Sequence, residues 1–171
     1  MNRQHIVDAL FTSLARIEEQ VHPHATLLPE FPRSIQLNSY SCGAKSAYTI
    51  LKYFGKKCTL QSVEKALRTD EDGTAVSDIK RVFKQFGLQC RTMRKPTIKD
   101  LKAAIDAGCP VLISLYEGEH YAVIYGCSRT HAFVMNPSLD ATEDGVGSVS
   151  VAVPLGEFRK MWDGWGIVVK S

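Results

Sequence analysis

What this chain lacks narrows its identity first. No apolar run approaches the roughly 20 residues that a membrane-crossing helix needs, so the chain reads as one without a transmembrane segment. A signal-peptide core and cleavage site are missing too, because Asp8, Glu18 and Glu19 interrupt the N-terminal stretch. Charge of one sign is not concentrated: the net charge is +3, with Lys and Arg spread along the chain. That excess is too small and diffuse for a nucleic-acid footprint, and Lys52, Lys56 and Lys57 fit a solvated helix end better. The cysteines are Cys42, Cys58, Cys90, Cys109 and Cys127; their number is odd, and no two stand in a C-x-x-C pair or at zinc-ligand spacing. Free thiols in a reducing compartment are expected, hence a cytoplasmic location and no metal or other cofactor. "TDEDGT" opens like a calcium loop but lacks that motif's later acidic ligands, and reads as a charged turn.

What is present suits one globular domain. The chain has 171 residues, 44% hydrophobic and 23% charged, enough for a core without disulfide support. Ile6, Leu10, Leu14, Ile17 and Val21 recur at helical spacing, which predicts an amphipathic helix packing that face on the domain. "HPHATLLPEFPRS" carries three prolines and reads as an extended connector. The chain thus divides into an N-terminal helix and connector, residues 1–33, and a main domain, residues 34–171.

Within the main domain helices come first. One is expected from Cys42 to Phe54, with Ala44, Ala47, Leu51 and Phe54 inward and Gly55 ending it. "TLQSVEKALR" and "SDIKRVFKQFG" give two short helices, and "LQCRTM" a strand. "TIKDLKAAIDAG" opens on a capping box, Thr97 with Asp100. After Pro110, "VLISLY", "HYAVIYGC" and "HAFVMNP" are short, β-branched and aromatic, and "GSVSVAVP" and "GWGIVVK" add two strands around a short helix at "GEFRKMW". Helices followed by antiparallel strands make an α+β domain. Tyr121, Tyr125, Trp162 and Trp165 are expected in its core.

Cys42, in "SYSCGAKSAY", stands apart from the other cysteines, which read as small buried hydrophobes. A nucleophilic cysteine needs a lowered pKa, a base, and donors for an oxyanion. Ser41 as N-cap would set Cys42 in a first helical turn, where unpaired N–H groups favour a thiolate. Gly43 would leave the sulfur accessible. Gln36, six positions upstream, can offer a side-chain amide beside the Cys42 backbone N–H. His5, His22 and His24 are expected to face solvent, which leaves His120 and His131 as bases. Side chains alternate along a strand, so His131 cannot share a face with Asn136. If Cys127 pairs with His131 across a hairpin, His120 falls diagonal to Asn136, roughly 7–8 Å away along the backbone and within side-chain reach. An even-length loop would put the two on opposite faces unless a bulge intervened.

Gln36, "SCGAKSAYTILKYFG", "GEHYAVIYG" and "MNP", in that order, together with "DGTAVSDIKRVFKQFGLQCR" and "LKAAIDAGCPVLISLYEGEHYAVIYG", resemble the papain-like cysteine peptidases. The sequence is most similar to the bacteriocin-processing branch, the double-glycine leader peptidases found at the front of peptide-exporting transporters. The resemblance spans residues 34 to 170. It implies a papain-like fold and a peptide or protein substrate. It also implies Cys42 as nucleophile, His120 as general base and then acid, Asn136 orienting the imidazole, and Gln36 with the Cys42 N–H as oxyanion hole. That branch usually carries aspartate where this chain has Asn136, with Asp140 the nearest carboxylate. No transporter follows, so the chain reads as a free-standing peptidase domain, and the resemblance implies a small-residue or Gly-Gly cleavage site. The same residues are compatible with a catalytically silent peptide-binding module or with an acyltransferase or deamidase. The stretch "LDATEDGVG" is expected as a surface loop that can border the cleft.

Overall fold

The computed structural model describes residues 3–36, 38–138 and 152–171. Six helices and seven strands are described: α1 (Arg3–Gln20), β1 (Thr26–Leu27), α2 (Cys42–Tyr53), α3 (Leu60–Leu67), α4 (Val76–Gln85), β2 (Gln89–Arg94), α5 (Ile98–Asp106), β3 (Val111–Leu115), β4 (His120–Cys127), β5 (His131–Met135), β6 (Ala152–Pro154), α6 (Leu155–Met161) and β7 (Trp162–Lys170). The strands form one antiparallel sheet in the order β2-β7-β3-β4-β5-β6, with β1 joined to β4. The α+β expectation holds.

Local chemistry sets the helix ends. Gly55 takes φ +67° just past α2, and the Lys56 N–H reaches back to Leu51 O, closing the helix with a left-handed residue. The capping box at Thr97 and Asp100 opens α5, and a second one, Thr59 with Ser62, opens α3. β3 is buried along its whole length, and α2 and α5 both pack on β4. Edge strand β2 turns Gln89, Arg91 and Arg94 outward, and the two arginines guard its free edge.

The N-terminal segment departs from expectation. The helix forms, but Ile6, Leu10, Ile17 and Val21 are exposed rather than packed on the domain. The connector supplies the buried groups instead. Leu28 and Phe31 are in the core, and β1 pairs with Gly126 and Cys127 of β4. Phe31 stacks on Tyr125 with ring centroids 5.3 Å apart, and the Arg33 guanidinium lies 4.9 Å from that ring's centroid. Glu19, in the last turn of α1, accepts from the Tyr125 hydroxyl at 2.8 Å and pairs with Arg33. These contacts hold the end of α1, and Ile6, Leu10, Ile17 and Val21 of its apolar stripe meet water.

The β4–β5 hairpin takes the even-length loop with a bulge rather than the Cys127–His131 pairing. Cys127 faces Ala132, not His131, so four residues form the connection. That register alone would send His120 and Asn136 to opposite faces. A bulge at Tyr125 restores them to one face, since Gly126 pairs with Phe133 but Ile124 with Val134. The bulged residue is well held: its carbonyl accepts the Leu28 N–H at 2.8 Å, and its ring is buried against Phe31. Gly126 follows because a Cβ there would lie 2.3 Å from a Leu27 methyl. Among the described residues, no helix is long and apolar enough to cross a membrane.

Candidate active site

α2 starts at Cys42, as expected, but not through a Ser41 side-chain cap. Ser41 occupies the N-cap position with φ −89° and ψ 13°, and its Oγ is buried without a hydrogen-bond partner. The turn is organised by Asn38 instead, whose Oδ1 accepts from the Tyr40 and Ser41 N–H groups at 3.2 and 2.9 Å. Gly43 answers to packing. A Cβ at that position would lie 2.8 Å from Thr74 Cβ and 3.1 Å from the Tyr121 ring, so only glycine lets these two side chains close on the helix start.

The expected low thiol pKa is not found. Cys42 is 6% exposed, and this burial pushes its thiol above the ordinary value. Backbone groups of Tyr121, Gly43 and Cys42 itself pull the other way without prevailing. The helix start therefore supplies donors to the sulfur that work against the burial.

Tyr121, which touches the thiol, directly follows His120. The Asn136 Oδ1 accepts from His120 Nε2 at 2.7 Å and from the Ser138 N–H at 3.0 Å. Two donors on one oxygen fix the amide orientation. They also fix the tautomer, because a carbonyl oxygen cannot donate: in the neutral ring Nε2 carries the proton and Nδ1 is left as the acceptor. Burial lowers the His120 pKa below its usual 6.5, and the Asn136 hydrogen bond partly offsets this. Gln36 joins the same neighbourhood through its backbone, whose N–H donates to Pro137 O at 2.6 Å, next to Asn136. Its side chain is buried, with Nε2 donating to Asn38 O at 2.7 Å and Oε1 unpartnered. Three chain segments thus converge: the Gln36–Asn38 approach to α2, the start of β4, and the end of β5.

His131 is elsewhere. Its ring lies 4.4 Å from that of His22, and its Nδ1 meets Thr130 Oγ1 at 2.9 Å. His22 is consequently half-buried, contrary to the expected solvent exposure, whereas His5 and His24 are exposed. Asp140 and the "LDATEDGVG" stretch lie outside the described residues. Cys109 and Cys127 are buried, Cys58 and Cys90 half-buried, and all are free thiols. No group of three or more His, Cys, Asp or Glu among the described residues is arranged to hold a metal ion.

Cys42 opens into a cleft of about 640 Å³ whose walls include Tyr40, Asp70, Asp72, Thr74, Glu119 and Tyr121. Thr74 and the acidic turn at 70–72 were not recognisable as cleft residues from sequence. Tyr121 was expected in the core and is half-buried, with its ring on the cleft wall. Residues 30–171 match the model of the peptidase C39 family.

The chain belongs to the peptidase C39 family.

Among similar sequences is the lactococcin-G-processing and transport ATP-binding protein LagD of Lactococcus lactis, 25% identical over 133 residues. The match covers 75% of this chain but only 17% of that protein. Solved C39 structures share the fold. A double glycine motif protease from an AMS/PCAT transporter, in complex with its leader peptide, superposes with a TM-score of 0.67 at 22% identity, covering 81% of this chain and 90% of that one. A putative C39-like peptidase from Bacillus anthracis also gives 0.67, at 16% identity, covering 86% and 98%. The papain-like fold expected from the resemblance is therefore the fold of this C39 chain.

Proposed function

We propose that this chain hydrolyses a peptide bond by Cys-His-Asn chemistry, on the carboxyl side of a small residue such as the second glycine of a Gly-Gly pair. The supporting observation is the His120–Asn136 hydrogen bond at the start of a strand whose next residue, Tyr121, lies against the Cys42 thiol. The leader-peptide complex of the related double glycine motif protease supports a peptide as substrate.

With Nε2 tied to Asn136, His120 Nδ1 takes the Cys42 proton as the sulfur attacks the scissile carbonyl carbon. Burial raises the Cys42 thiol and lowers the His120 imidazole, and the helix-start donors and Asn136 oppose these shifts. The carbonyl oxygen gains negative charge between the Cys42 N–H and the Gln36 side-chain amide, which has a second N–H beyond the one given to Asn38. His120 then returns the proton to the leaving amine, and a thioester remains on Cys42. Water adds to the thioester with His120 again as base, releasing the acid and restoring the thiol.

The test is a synthetic peptide carrying Gly-Gly followed by a cargo segment, with products read by mass. Wild-type protein should cut after the second glycine, and Cys42→Ala and His120→Ala should return the peptide intact. A Cys42→Ala variant that cuts as fast as wild type would sink the reading.

A further inference from the structure

We infer that Asp163 is a positioning residue for His120, acting through the turn that leads into β4. The inference rests on the peptidase reading above. The 3₁₀ turn Tyr116–Gly118 lies two residues before His120, and it is strained. Tyr116, Glu117 and Gly118 have φ of +56°, +61° and +94° in succession, and the first two are residues that seldom enter the left-handed region. Such a turn persists only where its surroundings hold it.

A carboxylate on β7 anchors two of the turn's N–H groups, beside the turn's own Glu119 N–H to Tyr116 O bond at 3.3 Å and the Tyr116 ring 6.5 Å from that of His120. Asp163 Oδ1 accepts the Glu117 N–H at 2.8 Å, and Oδ2 accepts the Gly118 N–H at 2.9 Å and the Ser114 hydroxyl at 2.5 Å. The sheet is bent to deliver it. Between β3 and β7, Ile113 faces Gly166 but Leu115 faces Trp162, so β7 carries extra residues opposite Ser114, with Asp163 among them. Gly164 at φ +69° makes that bulge, Lys95 N–H caps Gly164 O at 2.8 Å, and Trp162 Nε1 donates to Trp165 O at 2.9 Å. A bulge beside a catalytic strand re-aims a side chain, and here it aims a carboxylate at three donors of segment 114–118. The same turn runs on into Gly118 and Glu119, which line the Cys42 cleft. Asp163 fixes both the cleft wall and the entry of β4, so the direction of His120 follows from it.

The test needs no substrate: the rate of Cys42 alkylation by iodoacetamide against pH, in the full chain. His120→Ala should change that profile to one of an isolated buried thiol. Asp163→Ala should move the profile toward that of His120→Ala, slowing alkylation near neutral pH roughly tenfold to a hundredfold, the usual consequence of a small misplacement. Asp163→Asn should fall between, because its amide oxygen still accepts the Glu117 N–H while its amide nitrogen opposes the Gly118 N–H. Asp163→Asn decides the matter where Asp163→Ala does not fold. A folded Asp163→Asn with the wild-type profile and rate overturns the positioning role and leaves the peptidase reading intact. A His120→Ala variant with the wild-type profile overturns the pairing of Cys42 with His120, and this inference with it.

Discussion

Helices α1 and α2 both carry an apolar stripe, and the protein uses them in opposite ways. Ala44, Ala47, Ile50 and Leu51 of α2 are fully buried, whereas Ile6, Leu10 and Ile17 of α1 face water. The difference lies in what the other side chains allow. α2 is rich in small residues, so β4 comes close enough for Ser46 Oγ to donate to Tyr121 O at 3.3 Å. That approach brings the Cys42 end of α2 against the His120 end of β4. α1 is held through its last turn, by Glu19 on Tyr125 and Arg33, and the core beneath is already filled by Leu28 and Phe31. Periodicity says which face of a helix is apolar. Whether that face is buried depends on whether a neighbour has room for it.

The sharpest break between the two helices comes from shortening the chain. Removing residues 1–33 strips out Phe31, which is 1% exposed, together with β1, and should leave no cooperative unfolding transition in calorimetry. Loss of Phe31 alone is worth about 3–5 kcal/mol. Removing only residues 1–18 spares Glu19 and should move the melting temperature by a few degrees at most. An equal loss from both truncations would mean that α1 is integral to the core after all.

At the α2 end, Gly43→Ala forces a Cβ into Thr74 and should cost about 1–3 kcal/mol in denaturant unfolding, with a fall in peptide cleavage. Asn136→Asp probes the other side of the same junction. In the proposed mechanism a carboxylate beside His120 favours every more protonated form of Cys42 and His120 taken together, so both limbs of the pH–rate profile should move to higher pH. The shift should be about one unit or more, read as apparent values of the pair. Smallest of all should be Ile17→Lys on α1. Its side chain is 60% exposed, so stability should stay within about 0.5 kcal/mol of wild type in the same denaturant assay.

Much of the helical part was legible because local chemistry decides it. Gly55, and the capping box at Thr97 and Asp100, act within a turn of the residues they serve. The His120–Asn136 contact was legible for a different reason. Two residues 16 positions apart on adjoining strands can meet only in certain registers, and parity names the partner. Of the two registers left open, the structure takes the even-length loop, and the contact exists because the Tyr125 bulge compensates. That bulge answers to Phe31, Leu28 and Arg33, which lie about ninety residues away in sequence. The thiol pKa was misjudged for a related cause: a helix start is visible in sequence, but the degree of burial that opposes it is not.

By itself, then, the sequence determined the residue types at each key position and the short-range devices around them: the cysteine at a helix start, the strand alternation, the glycine stops. These depend on spacings of a few residues, which chain connectivity enforces. Only the tertiary structure decided what long-range packing controls. It buried Cys42 against Tyr121, brought Thr74 onto Gly43, left Ile6, Leu10 and Ile17 of α1 exposed, and aimed Asp163 across the sheet at the turn before His120. Each of these follows from which surfaces had room to meet, a quantity that no local stretch of residues encodes.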